Sequence, residues 1–359
     1  MNSAKILKFQ IKKRFYQIPE LIVTKEFLNK NVDITIVVPV HNQEFIITQN
    51  LNSIIKCITL QTEIIVINDA SKDGTLAKLK LFIDKLDNSN KNLVKISLMN
   101  FTLPIFETLS DSHGFRLASG KYIIEVQADM NIKEVGFDQK FVNTLKQNPD
   151  VFMVSGRGII PFKEALNVYI TTEYVTTLHT FLNKYKSKLK RSLTTVIRRR
   201  DVNRQRQRSI HFNLEEFKNS GKAGRLGDLM FDSYDELSEK IYIGEAVMRG
   251  PICFEKKLYD ELGGLNHDSF FQGFDEFDLQ LRARIKSGYR SALILIDFDS
   301  PSLHRSTTKK KTLLDYFELW LATSRVKPLK NKSFTLNNLD ALLKLEKNYE
   351  IRYLDNSHL

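Results

Sequence analysis

Residues 33–69, DITIVVPVHNQEFIITQNLNSIIKCITLQTEIIVIND, decide the fold. The stretch begins and ends with short β-branched runs, at 33–40 and 63–69, and each run stops at polar residues. Between the two runs, apolar residues recur at helical spacing over residues 44–58. Strand, helix and strand in this order predict a β-α-β unit whose parallel strands are buried on both faces.

The same alternation continues along the chain. A second helical pattern occupies residues 74–86, and apolar runs follow at 93–99 (LVKISLM) and 121–126 (KYIIEV). Alternating strands and helices predict an α/β fold with a mostly parallel central sheet and helices on both faces. Such sheets bind ligands outside the carboxyl ends of their strands, so we expect Asp69 and Asp129 to share one crevice.

Composition gives a first indication of the partners. The chain has 359 residues, 42% of them hydrophobic, which is enough for one large domain or two smaller ones. Its formal charge of +12 favours an anionic partner: a phosphorylated small molecule, a lipid headgroup or a nucleic acid. Much of the excess lies in residues 184–208, which can equally be a solvated, partly helical insertion.

The expected compartment is a reducing cytosol. Cys57 and Cys253 lie far apart in apolar contexts, so a disulfide framework is not expected. We also see no run of the roughly 18–20 apolar residues needed to cross a bilayer. The basic N-terminus and the basic run suggest, as a hypothesis, peripheral docking on an anionic membrane.

Two loops carry the first candidate binding residues. In VVPVHNQEFI (37–46), Pro39 ends a strand and Glu44 stands where a helix begins, which is also ordinary strand-turn-helix punctuation. In VINDASKDGT (66–75), Asp69 could accept a hydrogen bond from a nucleobase imide or a ribose hydroxyl. Ser71 or Asp73 would serve as the N-cap of the next helix.

Together, these segments resemble glycosyltransferase family 2. DITIVVPVHNQEFIITQNLNSI, TEIIVINDASKDGT and SGKYIIEVQADM are similar to its nucleotide-sugar half, and VMRGPICFEKKLYDELGGLN and GFDEFDLQLRARIKSGYR to its acceptor half. The resemblance implies a GT-A fold and an inverting transfer from a nucleoside-diphosphate sugar. It also implies a divalent cation, Mn²⁺ or Mg²⁺, and a glycan, lipid-linked or other hydroxyl acceptor in polysaccharide or glycoconjugate biosynthesis.

The family's motifs assign roles to individual residues. The implied nucleotide-sugar ligands are Pro39, Val40, Glu44, Asp69, Gln127 and Arg249. Asp129 matches the last acid of the family's Asp-x-Asp metal motif, whereas the first position holds Gln127 here. One carboxylate plus diphosphate oxygens suffices for a hard cation, and His304 is the expected second protein ligand.

The catalytic base is expected in residues 273–284, GFDEFDLQLRAR. Three acids, Asp275, Glu276 and Asp278, crowd the predicted helix start, and the apolar residues Phe277, Leu281 and Ile285 would face the core. Displacement at an anomeric carbon needs a base for the acceptor hydroxyl. The resemblance implies that this base is Glu276, and Asp275 stays a candidate. Acids also favour the first turn of a helix without any catalytic role.

The predicted organisation has three parts. A basic extension spans 1–30, a GT-A domain 31–308 and a helical tail 309–359. Within the domain, 31–133 would bind the nucleotide sugar, 180–240 form a basic insertion and 245–308 bind the acceptor.

Two alternative functions remain open. The basic run could mark a nucleic-acid-binding protein that reuses a nucleotide-binding core, although it holds few aromatic residues for base stacking. Because Gln127 replaces an acid, the chain could also be an inactive glycosyltransferase-like scaffold.

Overall fold

The computed structural model describes residues 17–28, 30–87, 90–160, 162, 225–226, 229–230, 240–267, 270, 273–299 and 352–355. Its first half alternates strands and helices as predicted. The strands are β1 (Glu20–Glu26), β2 (Ile34–Val40), β3 (Thr62–Asp69), β4 (Leu93–Phe101), β5 (Tyr122–Glu125) and β6 (Asn131–Ile132). The helices are α1 (Ile47–Cys57), α2 (Thr75–Lys85), α3 (Glu107–Leu117) and α4 (Phe137–Gln147).

The described residues of the second half form more strands than helices. The strands are β7 (Val151–Ser155), β8 (Ile159–Ile160), β9 (Arg225–Leu226), β10 (Leu229–Met230), β11 (Lys240–Gly244), β12 (Ala246–Val247), β13 (Ile252–Glu255), β14 (Arg290–Leu293), β15 (Phe298–Asp299) and β16 (Arg352–Asp355). The two described helices are α5 (Lys256–Glu261) and α6 (Asp275–Ser287).

A single ten-stranded sheet, in the order β1-β4-β3-β2-β5-β13-β7-β14-β11-β16, forms the centre of the molecule. Strands β3, β4, β5, β7, β14 and β16 run in the same direction as β2, whereas β1, β11 and β13 run opposite to it. The predicted α/β class with a mostly parallel sheet is therefore confirmed. Strands β3 and β5 flank β2, so their carboxyl ends lie at the same edge.

Alternate residues of the central strands pack into two separate cores. Ile34 and Ile36 of β2 belong to a cluster that includes Ile47 and Leu51 of α1. Val37 points the other way, into a cluster that contains Phe115 of α3. Because the strands are apolar on both faces, helices cover both sides of the sheet.

The ends of the sheet hold two strands that the sequence analysis did not predict. β1, from the expected N-terminal extension, pairs antiparallel with β4. The ammonium group of its Lys25 donates to Leu86 O at 2.6 Å, at the C-terminal end of α2, where a positive charge is favourable. β16 pairs with β11, so these four tail residues form a strand and not the predicted helix.

The remaining predictions for these regions fall on residues that are not described. Residues 184–208, most of the 180–240 insertion and the rest of the tail lie outside the described ranges. None of the helices formed by described residues has both the length and the apolar character that crossing a membrane requires.

Candidate active site

The loops that follow β2 and β3 are tied to each other at the carboxyl edge of the sheet. Gly74 N–H donates to Glu44 Oε2 at 2.7 Å, and Glu44 N–H donates to Asp73 Oδ2 at 3.2 Å. Pro39 and Val40 are the last two residues of β2, at the start of this pair of loops. These three predicted donor-binding residues thus lie at the expected edge, where Glu44 also links the two loops.

Asp69, the last residue of β3, orders the segment that leads into α3. It is 6% exposed, and its two carboxylate oxygens accept backbone N–H groups from Ile105 at 2.7 Å and from Phe106 at 2.9 Å. Phe106 has a φ of +68°, a conformation that non-glycine residues rarely adopt. Asp69 therefore shapes the protein's own backbone at this edge, whatever it contributes to a ligand.

The turn after β5 carries Gln127 and Asp129. The buried side-chain amide of Asn50, on α1, donates to Gln127 O at 3.1 Å and also to Met130 O. Both hydrogen bonds hold the turn against α1, so the partly exposed Asp129 is presented from a fixed backbone. Since β3 and β5 flank β2 in parallel, Asp69 at the end of β3 and Asp129 after β5 lie at one edge of the sheet.

Helix α6 begins with the predicted cluster of acids, and all three are buried. Asp278 forms an ion pair with Arg282, with 3.0 Å between Oδ2 and Nε, so its role is structural. Asp275 is 0% exposed and is paired with Arg249. Glu276 is 6% exposed, and its Oε2 has no hydrogen-bond partner among the described residues. The apolar side of the helix packs as predicted, with Phe277, Leu281 and Ile285 in one cluster.

The guanidinium of Arg249 lies among four carboxylates. Its Nη1 is 2.7 Å from Asp111 Oδ2 and 2.8 Å from Glu107 Oε1. Its Nη2 is 2.5 Å from Asp275 Oδ2, and its Nε is 3.4 Å from Glu125 Oε2. Glu107 also accepts a hydrogen bond from the Gln127 amide at 3.3 Å. The Arg249 cluster, defined as Arg249 with these four carboxylates, therefore connects the turn after β5 to the head of α6.

One guanidinium cannot balance so many buried acids, and their pKa values reflect this. Burial raises the pKa of Glu276 to about 8; the Arg249 guanidinium limits the rise and Asp275 adds to it. Burial likewise raises the pKa of Glu125 to about 8 and that of Asp111 well above its ordinary value. Glu125 and Glu276 are therefore mostly protonated at neutral pH.

Two groups of residues could be considered for a divalent cation. Oxygens of Glu107, Asp111 and Glu125 approach within 4.8 Å of one another, but the Arg249 guanidinium already supplies positive charge to all three. Asp129 offers a partly exposed carboxylate at the strand edge, with the Gln127 amide nearby in sequence. These hard oxygen donors fit Mg²⁺ or Mn²⁺, provided that a diphosphate and water supply further ligands. His304 lies outside the described residues.

Four functional candidates escaped the sequence analysis: Asn50, Glu107, Asp111 and Glu125. A signal existed for Glu125, because it is a charged residue inside the apolar run YIIEV. Nothing in the local pattern distinguishes Glu107 or Asp111 from solvent-facing acids of a helix. Their importance becomes visible only when Arg249, more than 130 residues away, is placed beside them.

Residues 35–207 match the family model described as glycosyl transferase family 2. This match covers just under half of the chain and identifies residues 35–207 as similar to glycosyltransferase family 2. The resemblance read from the motifs is thereby confirmed for these residues. The match contains Asp69, Gln127 and Asp129, whereas Arg249, Asp275 and Glu276 follow it in sequence. No match was found among the curated proteins.

Several solved structures are similar to the chain. S. aureus TarS 1–349 in complex with UDP is 20% identical with a TM-score of 0.29, over 34% of each chain. The mannosyltransferase PcManGT from Pyrobaculum calidifontis, in complex with GDP-Man and Mn²⁺, is 14% identical with a TM-score of 0.43, over 96% of this chain and 89% of that one. GalNAc-T7 with UDP, GalNAc and Mn²⁺ is 14% identical with a TM-score of 0.46, over 75% of this chain and 43% of that one. This chain covers only 21% of the length of a further S. aureus TarS structure.

Proposed function

We propose that this protein transfers a sugar from a nucleoside-diphosphate sugar to an acceptor hydroxyl, with inversion at the anomeric carbon. The observation that carries this proposal is the state of the two adjacent acids at the head of α6. Asp275 forms an ion pair with Arg249 through Oδ2, whereas no described residue forms a hydrogen bond or an ion pair with Glu276 Oε2. A buried carboxyl group of raised pKa at the start of a helix can serve as a general base.

The donor would bind at the carboxyl edge of β2, β3 and β5. Pro39, Val40 and Glu44 would line the nucleoside side, and Asp69 would both hold its loop and accept a hydrogen bond from the nucleoside. Asp129 would hold a divalent cation, with His304 as the second protein ligand, and Gln127 would contact the sugar or the ribose. When bound, the cation would neutralise the charge that develops on the departing diphosphate.

The reaction that fits these residues is a single displacement. The acceptor oxygen forms a bond to the anomeric carbon as the bond between that carbon and the diphosphate oxygen breaks. The diphosphate leaves with the electron pair, and Glu276 takes the proton of the acceptor hydroxyl. Because the pKa of Glu276 is about 8, its ionised form is a stronger base than an ordinary glutamate. The acceptor would be the hydroxyl of a glycan or of a lipid-linked sugar.

The test is a turnover assay with a panel of UDP- and GDP-sugars, Mn²⁺ and simple glycoside acceptors, with the anomeric configuration of the product followed by NMR. We expect an inverted product, and a fall in kcat of roughly 10²–10⁴-fold in Glu276→Gln, while donor binding is retained. Asp84→Asn, an exposed acid on α2, is the matched control. A retained anomeric configuration, or full activity in Glu276→Gln, would overturn the proposal. Absence of turnover together with absence of donor binding would favour the inactive scaffold.

A further inference from the structure

The segment that carries Arg249 is held in fixed register with α6. The side-chain amide of Gln280 accepts the N–H of Val247 at 2.7 Å and donates to the carbonyl of Val247 at 2.9 Å. Ser291 Oγ donates to the same Gln280 oxygen at 2.7 Å, which orients that amide. The backbone two residues before Arg249 is therefore attached to the helix that begins with Asp275 and Glu276.

The guanidinium itself uses the geometry that only arginine offers. Two different nitrogens contact Asp111 and Asp275, on α3 and α6, and Glu107 shares the nitrogen that Asp111 contacts. A lysine ammonium is a compact point charge and cannot reproduce this fork. Arg249 is 5% exposed, so its charge is directed at these carboxylates and not at a ligand in the cleft.

We propose that Arg249 is a positioning residue that holds Asp275 in an ion pair and thereby leaves the neighbouring Glu276 as the base. This inference rests on the proposed function and deepens it, because it assigns different roles to two acids that are adjacent in sequence. Arg249 acts through Asp275 and through the orientation of the head of α6. It does not need to touch the donor, the role that the family resemblance implied for it.

The charges around Glu276 give the proposal a signature that a merely structural role would not produce. Arg249 favours the ionised form of Glu276, whereas Asp275 and Glu107 oppose it, and burial opposes it most strongly. Burial raises the pKa of the other acids of the Arg249 cluster, Asp111 and Glu125, and Asp278 is paired with Arg282. Removing the guanidinium and removing the Asp275 charge should therefore shift the titration of Glu276 in opposite directions.

The experiment compares the pH dependence of kcat in wild type, Arg249→Met, Arg249→Lys and Asp275→Asn. We expect the acidic limb to move to higher pH in Arg249→Met and to lower pH in Asp275→Asn, each by about one pH unit or more. Arg249→Lys is expected to lose roughly tenfold in plateau kcat because the fork is lost. Asp275→Asn breaks the same ion pair, so its plateau kcat is expected to fall as well. Arg284→Met, on the same helix, controls for loss of an arginine: its guanidinium contacts the Gly288 carbonyl.

A second readout is independent of turnover. The protonated carboxyl of Glu276 gives an infrared carbonyl band that is identified by its loss in Glu276→Gln. Its midpoint should fall in Asp275→Asn and rise in Arg249→Met, even if no acceptor is found. Failure of the proposed function would appear as full activity in Glu276→Gln. The infrared titration does not depend on activity, so the two failures can be distinguished.

Three results would overturn the proposal. The first is an unchanged Glu276 midpoint in Asp275→Asn, which is decisive even if Arg249→Met does not fold. The second is a shift of the same sign in Asp275→Asn and Arg249→Met. The third is an Arg249→Lys variant with normal kcat but a raised donor KM, which would make Arg249 a donor ligand.

Discussion

The side-chain amide of Asn50 lies 3.1 Å from the backbone carbonyl oxygen of Gln127, and this contact attaches the turn that carries Asp129 to helix α1. The same amide also donates to Met130 O. One buried side chain thus closes the turn at two points. The position of the proposed metal ligand depends on a residue 79 positions earlier in the chain, which no local motif would indicate.

Asn50→Ala is expected to weaken donor binding through this turn. The buried Met130 carbonyl would lose this donor, and the Gln127 carbonyl would keep the N–H of Met130. We expect a cost of about 1–3 kcal/mol in the free energy of unfolding. Binding of a nucleoside diphosphate in the presence of Mn²⁺, measured by calorimetry, should weaken as well. Asn52→Ala is the matched control, because Asn52 is exposed on the same helix. Equal effects of the two substitutions would refute this role of Asn50.

Asp69→Asn is expected to lower stability even in the absence of a donor. Each carboxylate oxygen of Asp69 accepts a backbone N–H. In Asp69→Asn, the side-chain NH₂ group would replace one of these oxygens and would face a backbone N–H, so that hydrogen bond would be lost. The loss should be about 1–3 kcal/mol, measured by urea unfolding of the ligand-free protein. An unfolding curve like that of wild type or of the exposed control Asp84→Asn would mean that Asp69 serves the ligand alone.

Gly250→Ala should be more destabilising than Gly263→Ala. Both glycines have positive φ, +85° and +84°, so the backbone penalty is shared. A Cβ at Gly250 would lie 2.5 Å from Met130 Cε and 3.0 Å from Gln127 Oε1, whereas at Gly263 it would meet nothing within 4 Å. The ends of the Met130 and Gln127 side chains would have to move, so we expect an extra loss of about 1 kcal/mol at Gly250, together with a raised donor KM. Equal losses of stability in the two variants, measured by thermal unfolding, would show that the turn after β5 accommodates the added methyl group without cost.

The raised pKa of Glu125 predicts that stability falls as pH rises. In the folded state this group titrates near 8, above its ordinary value of 4.5, so folding takes up a proton between these two values. Its contribution is fully present below pH 4.5 and is lost as pH rises through 8, by up to about 1.4 kcal/mol per pH unit. Glu125→Gln, which mimics the protonated group, should flatten the decline in unfolding free energy between pH 6 and 9. Glu261→Gln, at an exposed position, should leave the slope unchanged, and a wild-type slope in Glu125→Gln would exclude the mechanism.

The fold was predictable where burial leaves a local pattern. β2, β3 and β5 are short runs of β-branched residues bounded by polar turns, and α1 and α6 show apolar residues at helical spacing. The placement of β13 between β5 and β7, antiparallel to both, was not predictable, because residues more than 90 positions apart pair there. β16 was also missed, since its strand forms only by pairing with β11.

The site was predictable at strand ends and unpredictable inside the protein. Asp69 and Asp129 lie where a parallel sheet binds ligands, and the acids of α6 crowd a helix start. The Arg249 cluster is different, because it gathers α3, β5, the β12–β13 turn and α6, and its members become partners only in the folded chain. Acids that meet an arginine only in the folded chain have no regular spacing in the sequence, so no motif indicates them.

The central claim is that Asp129 holds a cation against a donor diphosphate at the edge formed by β2, β3 and β5. The most direct measurement is calorimetric titration of wild type and Asp129→Asn with UDP and GDP, with Mn²⁺ and with EDTA. The account predicts binding of at least one nucleotide by wild type with Mn²⁺, weakened at least tenfold, or about 1.4 kcal/mol, by EDTA or by Asp129→Asn. Nucleotide affinity that is the same with Mn²⁺, with EDTA and in Asp129→Asn would contradict it.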